Sequence, residues 1–467
     1  MLRTWQQECL EVAKKHYINN NKHFLCLATP GAGKTVLAAE IAVYMLETDQ
    51  IDFVICFSPS TEVSNGIKRS FSKRLNCNFD GVIGSVGCSY TYQNMRFFND
   101  DYWKLLRNNR VLVVFDEIHH CAGSTVEEAN VWGQDIAKNI QDQASFTLAL
   151  TGTPWRSDLL PIALATYSDP DNKIQCNYTY SLQQAVIDGV CRNPKIVLID
   201  NEAISVTHKN KGTKTYNSLK QLLKNPSISY QELIRHDVII DYIIAQGVKK
   251  LAEVRLLNSD AAGLIVAASV EHAEQILTTL TQNFHQSATI VTYKDAQASE
   301  KINHFRFSNT RWIVSVGMVS EGTDIPRLQV CCHLSRVKTE LYFRQVLGRI
   351  LRISQATNQE AWLFTLAEEK LSIFANRIDQ ELPDMSVLMR SNAIKMDYGS
   401  IGKNNKTNAN LANDQPVKID NDIENLPLSK KIKTHLNQQS FVTYDHLEAF
   451  GGFRKRLIEI FNSDNIL

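Results

Sequence analysis

The residues best suited to chemistry lie in Thr29-Pro30-Gly31-Ala32-Gly33-Lys34-Thr35. An apolar run, Phe24–Ala28, precedes them and a helix-like segment begins near Lys34, giving the order strand, glycine-containing loop, helix. Gly31 and Gly33 let backbone N–H groups curl around a phosphate, and the start of a helix favours its negative charge. Lys34 can reach the outer phosphates of a nucleoside triphosphate, and the Thr35 hydroxyl can ligate Mg²⁺. A bare Gly-Lys-Thr also occurs in ordinary turns; the flanking strand and helix are what distinguish this one.

A second group follows the apolar run Val111–Phe115, which ends in Asp116-Glu117. At the C-terminal end of a parallel strand, such side chains project into the crevice where open α/β sheets bind ligands. Asp116 is then suited to hold Mg²⁺ and Glu117 to orient or deprotonate an attacking water. His119, His120 and Cys121 come next, but adjacent side chains diverge in direction, which disfavours a metal trio.

These groups need sheets to hold them. Short apolar runs alternating with turn signals and amphipathic segments occur in two regions, the pattern of parallel sheets covered by helices. The first region, 1–190, has strand candidates Phe24–Ala28, Phe53–Phe57, Val111–Phe115 and Thr147–Leu150. The second, 259–395, has Gly263–Ala268, Ala288–Thr292, Trp312–Val316, Gln329–His333 and Ala361–Thr365. Between them, 191–258 carries Lys209, Lys211, Lys214, Lys220 and Lys224, then apolar residues at helical spacing from Tyr230 to about Leu257; it reads as a helical connector or insertion. After residue 395, a linker rich in Asn, Lys, Asp and Gly leads to a C-terminal tail, so 396–467 is expected to be a linker and short extension.

Composition bounds the function. With 467 residues, 44% hydrophobic and 21% charged, the chain is large enough for several cores and is neither disordered nor a disulfide scaffold. Lys+Arg 50 against Asp+Glu 49 excludes a globally basic coat protein while leaving room for a locally basic groove. The ten cysteines form no Cys-x-x-Cys pair, so a reducing cytoplasm is expected and a zinc ribbon is not. The polar N-terminus is unlike a signal peptide, and no stretch approaches the ~18 apolar residues of a membrane span.

Taken together, the motifs resemble those of the superfamily 2 helicases with a DEAD/DEAH-type box, in the restriction-enzyme-like and repair-type branch. Ala28–Thr35 looks like motif I, Asp116-Glu117-Ile118-His119 like motif II and Thr151-Gly152-Thr153-Pro154 like motif III. Leu2–Gln6 resembles the adenine-contacting segment, with Gln6 its contact. Pro59-Ser60 is similar to motif Ia, and Thr91-Tyr92-Gln93 to an element lying along the nucleic-acid backbone. Val319–Pro326, with Gly322 and Asp324, looks like motif V, and Gln345–Arg352 like motif VI. The likeness spans about 1–395.

The resemblance implies two tandem RecA-like parallel-sheet domains of the P-loop NTPase class, with ATP and Mg²⁺ in the cleft and nucleic acid across the top. Gly31, Gly33, Lys34, Thr35, Gly322, Asp324 and Gln345 would contact the nucleotide, with Thr35 and Asp116 on Mg²⁺. Arg349 and Arg352, on one helix face at i and i+3, would stabilise the charge that phosphoryl transfer spreads. Glu321 before Gly322 resembles the DNA-directed branches, so DNA is expected over RNA. An ATP-dependent helicase or translocase is the leading expectation. A nucleotide-switched ATPase subunit of a larger defence or restriction-type complex is the alternative, and a protein partner could bind the C-terminal tail.

Smaller features stay open. Tyr90, Tyr92, Phe97, Phe98, Tyr102 and Trp103 with Arg96 could stack bases; for Phe97, Phe98 and Trp103, packing on the sheet is expected instead. Trp155-Arg156 could pack between domains or touch substrate. The lysines of 208–224 could follow a phosphate backbone or form a solvated loop.

Overall fold

The computed structural model describes residues 2–123, 129–154, 156, 160–169, 173–208, 212–225, 228–318, 325–356, 358–378 and 446–460. The first half runs α1 (Thr4–Ile18), β1 (His23–Ala28), α2 (Lys34–Glu47), β2 (Phe53–Ser58), α3 (Thr61–Leu75), β3 (Gly87–Thr91), α4 (Asp100–Asn108), β4 (Val111–Asp116), α5 (Val131–Asn139) and β5 (Phe146–Thr151). A small hairpin, β6 (Thr166–Tyr167) and β7 (Ile174–Gln175), then β8 (Tyr178–Tyr180) and α6 (Leu182–Ile187) complete it. Six strands pair in parallel in the order β3-β2-β4-β5-β1-β8.

Strand periodicity explains the layers. Successive residues of β4 point to opposite faces: Leu112 and Val114 join one buried cluster, while Val111, Val113 and Phe115 join another. The first cluster includes Leu37, Ile41 and Met45 of α2 and Ile67 and Phe71 of α3; the second includes Trp103 and Leu106 of α4 and Ile136 of α5. A strand buried on both faces reads as a continuous apolar run, which is why Val111–Phe115 was legible. Helix ends follow local chemistry. At α3 the Ser60 hydroxyl accepts from Val63 N (3.4 Å), Glu62 sits in the first turn, Lys73 and Arg74 in the last, and Asn76 closes the helix at φ 54°.

The second half comprises β9 (Asn193–His208), β10 (Gly212–Tyr216), α7 (Leu219–Leu222), α8 (Tyr230–Ile234), α9 (Asp237–Arg255), β11 (Ala262–Val266), α10 (Val270–Thr278), β12 (Ala288–Thr292), α11 (Ala298–Phe307) and β13 (Trp312–Val316). It continues through β14 (Leu328–His333), α12 (Glu340–Ile350), β15 (Glu360–Leu366), α13 (Glu369–Asn376) and β16 (His446–Glu459). The sheet order is β10-β9-β15-β14-β11-β13-β12, with β16 on the other edge of β9.

Two expectations change here. The span 191–258 contributes three helices, α7 to α9, but opens with the long strand β9 and its partner β10, both members of the second sheet. The helix-like run also breaks at Arg235-His236, between α8 and α9. The described part of the tail, 446–460, is no free docking segment: β16 pairs antiparallel with β9 from Lys195 to Thr207. Arg454 faces Asp200 (3.7 Å), Lys455 Nζ donates to Gln246 Oε1 (2.7 Å), and Phe453 stacks on Tyr242 (3.9 Å). The physical reason is common to both: β15 and β10 occupy one edge of β9, and β16 pairs the backbone groups that its other edge would leave open. Among the described residues, no helix is long and apolar enough to cross a membrane.

Candidate functional site

Because β4, β5 and β1 are neighbours, their C-terminal ends bring Asp116-Glu117, Thr151-Gly152 and the Thr29–Lys34 loop together. Gly31 and Gly33 sit at φ +83° and +95°, a region closed to most side chains. A Cβ at Gly33 would also come within 2.9 Å of Gln6 Nε2. The loop therefore needs both glycines, and the residues fit the cradle expected for phosphates.

Lys34 begins α2 and is buried; its Nζ donates to Ala28 O (3.1 Å) and lies 3.3 Å from Glu117 Oε1. The other carboxylate oxygen of Glu117 accepts from Gly152 N (3.1 Å). Glu117 itself has φ 52° and ψ 54°, a costly conformation for a side chain of this kind, and it turns the chain out of β4 so that the carboxylate faces Lys34. Asp116 is buried, and that burial together with the charge of Glu117 pushes its carboxyl up to about 7. Thr35 stands beside Lys34 in the first turn of α2, half-buried.

His119, which the sequence offered as the end of the motif II-like run and as part of an unconvincing metal trio but with no role of its own, joins this site. Its buried Nδ1 lies 3.0 Å from Thr151 Oγ1, 3.3 Å from Thr153 Oγ1 and 3.4 Å from Glu117 Oε2. The acid pair and the Thr-Gly-Thr-Pro segment are thus one hydrogen-bonded unit. Arg156 donates to His119 O and adds to it.

Gln6 is buried at the loop, its Nε2 donating to Gly33 O (2.9 Å) and its Oε1 accepting from Arg3 N (2.8 Å). From the second half, α12 carries Gln345 and Arg349, and its buried Gly348 packs on Pro30: a Cβ there would lie 2.9 Å from Pro30 Cβ. Arg352 Cγ would lie 3.4 Å from a Cβ at Gly31. The expected helical i, i+3 pairing of Arg349 and Arg352 does not occur. The helix ends at Ile350, and Arg352 instead forms an antiparallel bridge with Cys191. Gly322, Asp324 and Trp155 lie outside the described residues, as do Lys209 and Lys211.

The nucleic-acid candidates divide. Pro59 is buried and Ser60 spends its hydroxyl on capping α3. Tyr92 is a correction: it is wholly buried, its hydroxyl donates to Asp116 O (2.8 Å), and its ring stacks on Trp132 (5.6 Å), so it supports the acid strand instead of meeting a ligand. Thr91 donates to Asn94 Oδ1 (2.8 Å) and is half-buried, as is Gln93. Phe98 stacks on Tyr102 (3.9 Å) and Trp103 is buried, as expected, whereas Phe97 is 80% exposed against the packing expectation.

Residues 1–156 match the family described as "Type III restriction enzyme, res subunit", and 246–354 the "Helicase conserved C-terminal domain". The chain is similar to ML1624 of Mycobacterium leprae (strain TN), an uncharacterized protein, at 28% identity over 398 residues, 81% of this chain and 64% of that protein. It is 25% identical over 371 residues to the DNA 3′-5′ translocase XPB2 of Sulfurisphaera tokodaii, covering 75% of this chain and 78% of that one. The chain thus spans less than two thirds of the length of the mycobacterial relative. Among solved structures it resembles the ATP-dependent Type ISP restriction-modification enzyme LlaBIII bound to DNA, with TM-score 0.51 and 15% identity, over 85% of this chain and 30% of that one, a likeness of fold.

Proposed function

Starting from a chain that is a superfamily 2 helicase-like protein with two RecA-like parallel-sheet domains, we propose that it is an ATP-dependent translocase or helicase acting on DNA. The observation that carries this reading is the approach of α12 and Arg352 to the phosphate loop: Gly348 rests on Pro30 and Arg352 on Gly31, across the cleft from Lys34 and Glu117. A one-domain ATPase needs no such partner. DNA is supported by the name of the XPB2 relative and by the Glu321–Pro326 sequence.

Each residue then has a task. Lys34 leaves Glu117 to neutralise the outer phosphates, and Glu117, freed, takes the proton of the attacking water while Gly152 N–H holds its other oxygen. Thr35 and Asp116 would hold Mg²⁺, which supplies charge neutralisation at the phosphates. Arg352, with Arg349, stabilises the charge spread in the transition state. His119 ties the position of Glu117 to Thr151 and Thr153 on β5 and just after it. All ten cysteines are free thiols, in keeping with a cytoplasmic setting.

A second reading, a nucleotide-switched ATPase subunit of a larger restriction-type complex, is supported by the description of the family matched over 1–156 as a subunit. One experiment tests both: ATP turnover of the purified chain with single-stranded DNA, duplex DNA, forked DNA or RNA, alongside Lys34→Ala. DNA-stimulated turnover that vanishes in Lys34→Ala is expected. Equal stimulation by RNA refutes the DNA assignment, turnover that waits for a partner protein favours the second reading, and wild-type turnover in Lys34→Ala refutes the site.

A further inference from the structure

The passage between the two sheets runs directly past the phosphate loop. After α6, Val190 N and Cys191 N both donate to Ala185 O (2.7 and 2.9 Å), which ties these residues to the first half; Asn193 already begins β9 of the second sheet. Arg192, between them, is wholly buried. Its Nη1 donates to Leu328 O (2.7 Å) and Ile350 O (3.3 Å), and its Nη2 to Pro326 O (3.0 Å) and Ser354 Oγ (3.0 Å). Its backbone N–H donates to Leu351 O (2.7 Å).

Burial lowers its pKa to about 10, so it stays charged at neutral pH. A buried cation held through its two Nη groups by neutral acceptors, with its Nε left without a partner among the described residues, is an expensive way to fill space, which an apolar side chain of similar volume would do more cheaply. The acceptors indicate what it does. Ile350 O and Leu351 O are among the terminal carbonyls of α12, unpaired within the helix and at its negative end. Pro326 O, at the last residue of the motif V-like sequence, and Leu328 O stand at the entry to β14.

One side chain therefore joins the end of α12 to the start of β14. Its neighbour Cys191 pairs with Arg352 in an antiparallel bridge, and the Cys191 thiol, which burial keeps protonated, donates to Pro30 O (3.5 Å) in the phosphate loop.

We infer that Arg192 is a positioning residue for ATP hydrolysis: by fixing the C-terminal end of α12 it presents Arg352 to the phosphate loop, without touching the nucleotide. This rests on the reading of Arg352 as the residue that stabilises transferred charge. Removing the guanidinium frees the α12 terminus and spoils the geometry of the transition state more than that of bound ATP.

The test measures kcat and KM for ATP with saturating DNA in the full chain, in Arg192→Gln, Arg192→Lys, Arg352→Ala and the double variant Arg192→Gln/Arg352→Ala. Rates are expressed per nucleotide site titrated with a fluorescent ADP, so that unfolded molecules do not count. Arg192→Gln is expected to lower kcat at least about tenfold with KM within about threefold, Arg192→Lys to fall less, and the double variant to be no slower than Arg352→Ala. An unchanged kcat per site in Arg192→Gln, or effects that multiply in the double variant, overturns the inference. Should Arg192→Gln not fold, Arg192→Lys decides: a lowered kcat at constant KM supports the inference, and a wild-type kcat overturns it. A wild-type kcat in Arg352→Ala instead refutes the reading of Arg352 itself.

Discussion

Gly348→Ala places one methyl group between α12 and the phosphate loop. The added Cβ would lie 2.9 Å from Pro30 Cβ and 3.2 Å from its Cγ, against roughly 3.5–4.0 Å for an ordinary carbon contact, so α12 must retreat by about 0.6–1 Å. Overpacking of this kind costs about 1–3 kcal/mol. Within the helix the same substitution is favourable by about 1 kcal/mol, so the second sheet and its helices lose no stability of their own. The cost is therefore confined to the arrangement in which α12 rests on Pro30. If that arrangement is the one that hydrolyses ATP, kcat falls about 5- to 150-fold while nucleotide affinity, set by Lys34 and the loop, moves by no more than about threefold. Steady-state turnover with saturating DNA gives kcat, and equilibrium titration with a fluorescent nucleotide gives affinity. A wild-type kcat, or a loss of affinity as large as the loss of kcat, refutes the argument that contact across the cleft drives hydrolysis.

Glu117→Gln keeps an oxygen for Gly152 N–H but cannot take a proton and no longer holds Lys34 as an ion pair. ATP binding should persist while single-turnover hydrolysis slows by about 10²–10⁴; loss of binding in a filter assay would contradict the role of base. His272 is buried, and its Nδ1 accepts from Ala268 N (3.1 Å), so a proton there meets an N–H; burial lowers its pKa from 6.5 to about 4. The stability this neutral ring contributes is complete above pH 6.5 and is lost as the pH falls towards 4, about 2 kcal/mol of it between pH 7 and 5. Urea unfolding should then show the wild type losing about 2 kcal/mol more than His272→Gln over that interval; parallel losses would refute it.

What was legible in the sequence depended on local pattern. The run Val111–Phe115 is buried on both faces and so carries its own signature, and the glycines at +83° and +95° announce a loop that only they can form. The edge strands carried no comparable signal. The sequence from 208 to 224 is rich in lysine and reads as a solvated loop, which hides β10, and β16 is recognisable only through a partner far away in the chain. Arg192 was missed because a single arginine before Asn-Pro looks like a linker residue; its four acceptors come from segments more than a hundred residues on. Tyr92 was misread for the opposite reason. A hydrophobic residue with a hydroxyl suits a ligand surface and a buried carbonyl equally, and only the packing of Trp132 decides between them.

The pairing of β16 with β9 also has a consequence in time. Lys195 and Glu459, which meet through Nζ and Oε1 at 3.3 Å, are 264 residues apart. At synthesis rates of about 5–20 residues per second, β9 leaves the ribosome roughly ten to fifty seconds before its partner exists. During that interval one edge of β9 is open for strand addition from any neighbouring chain on the same polysome. Pairing of β16 thus closes that period for this edge, and a chain interrupted before His446 would keep the edge of β9 that β16 covers open to its neighbours.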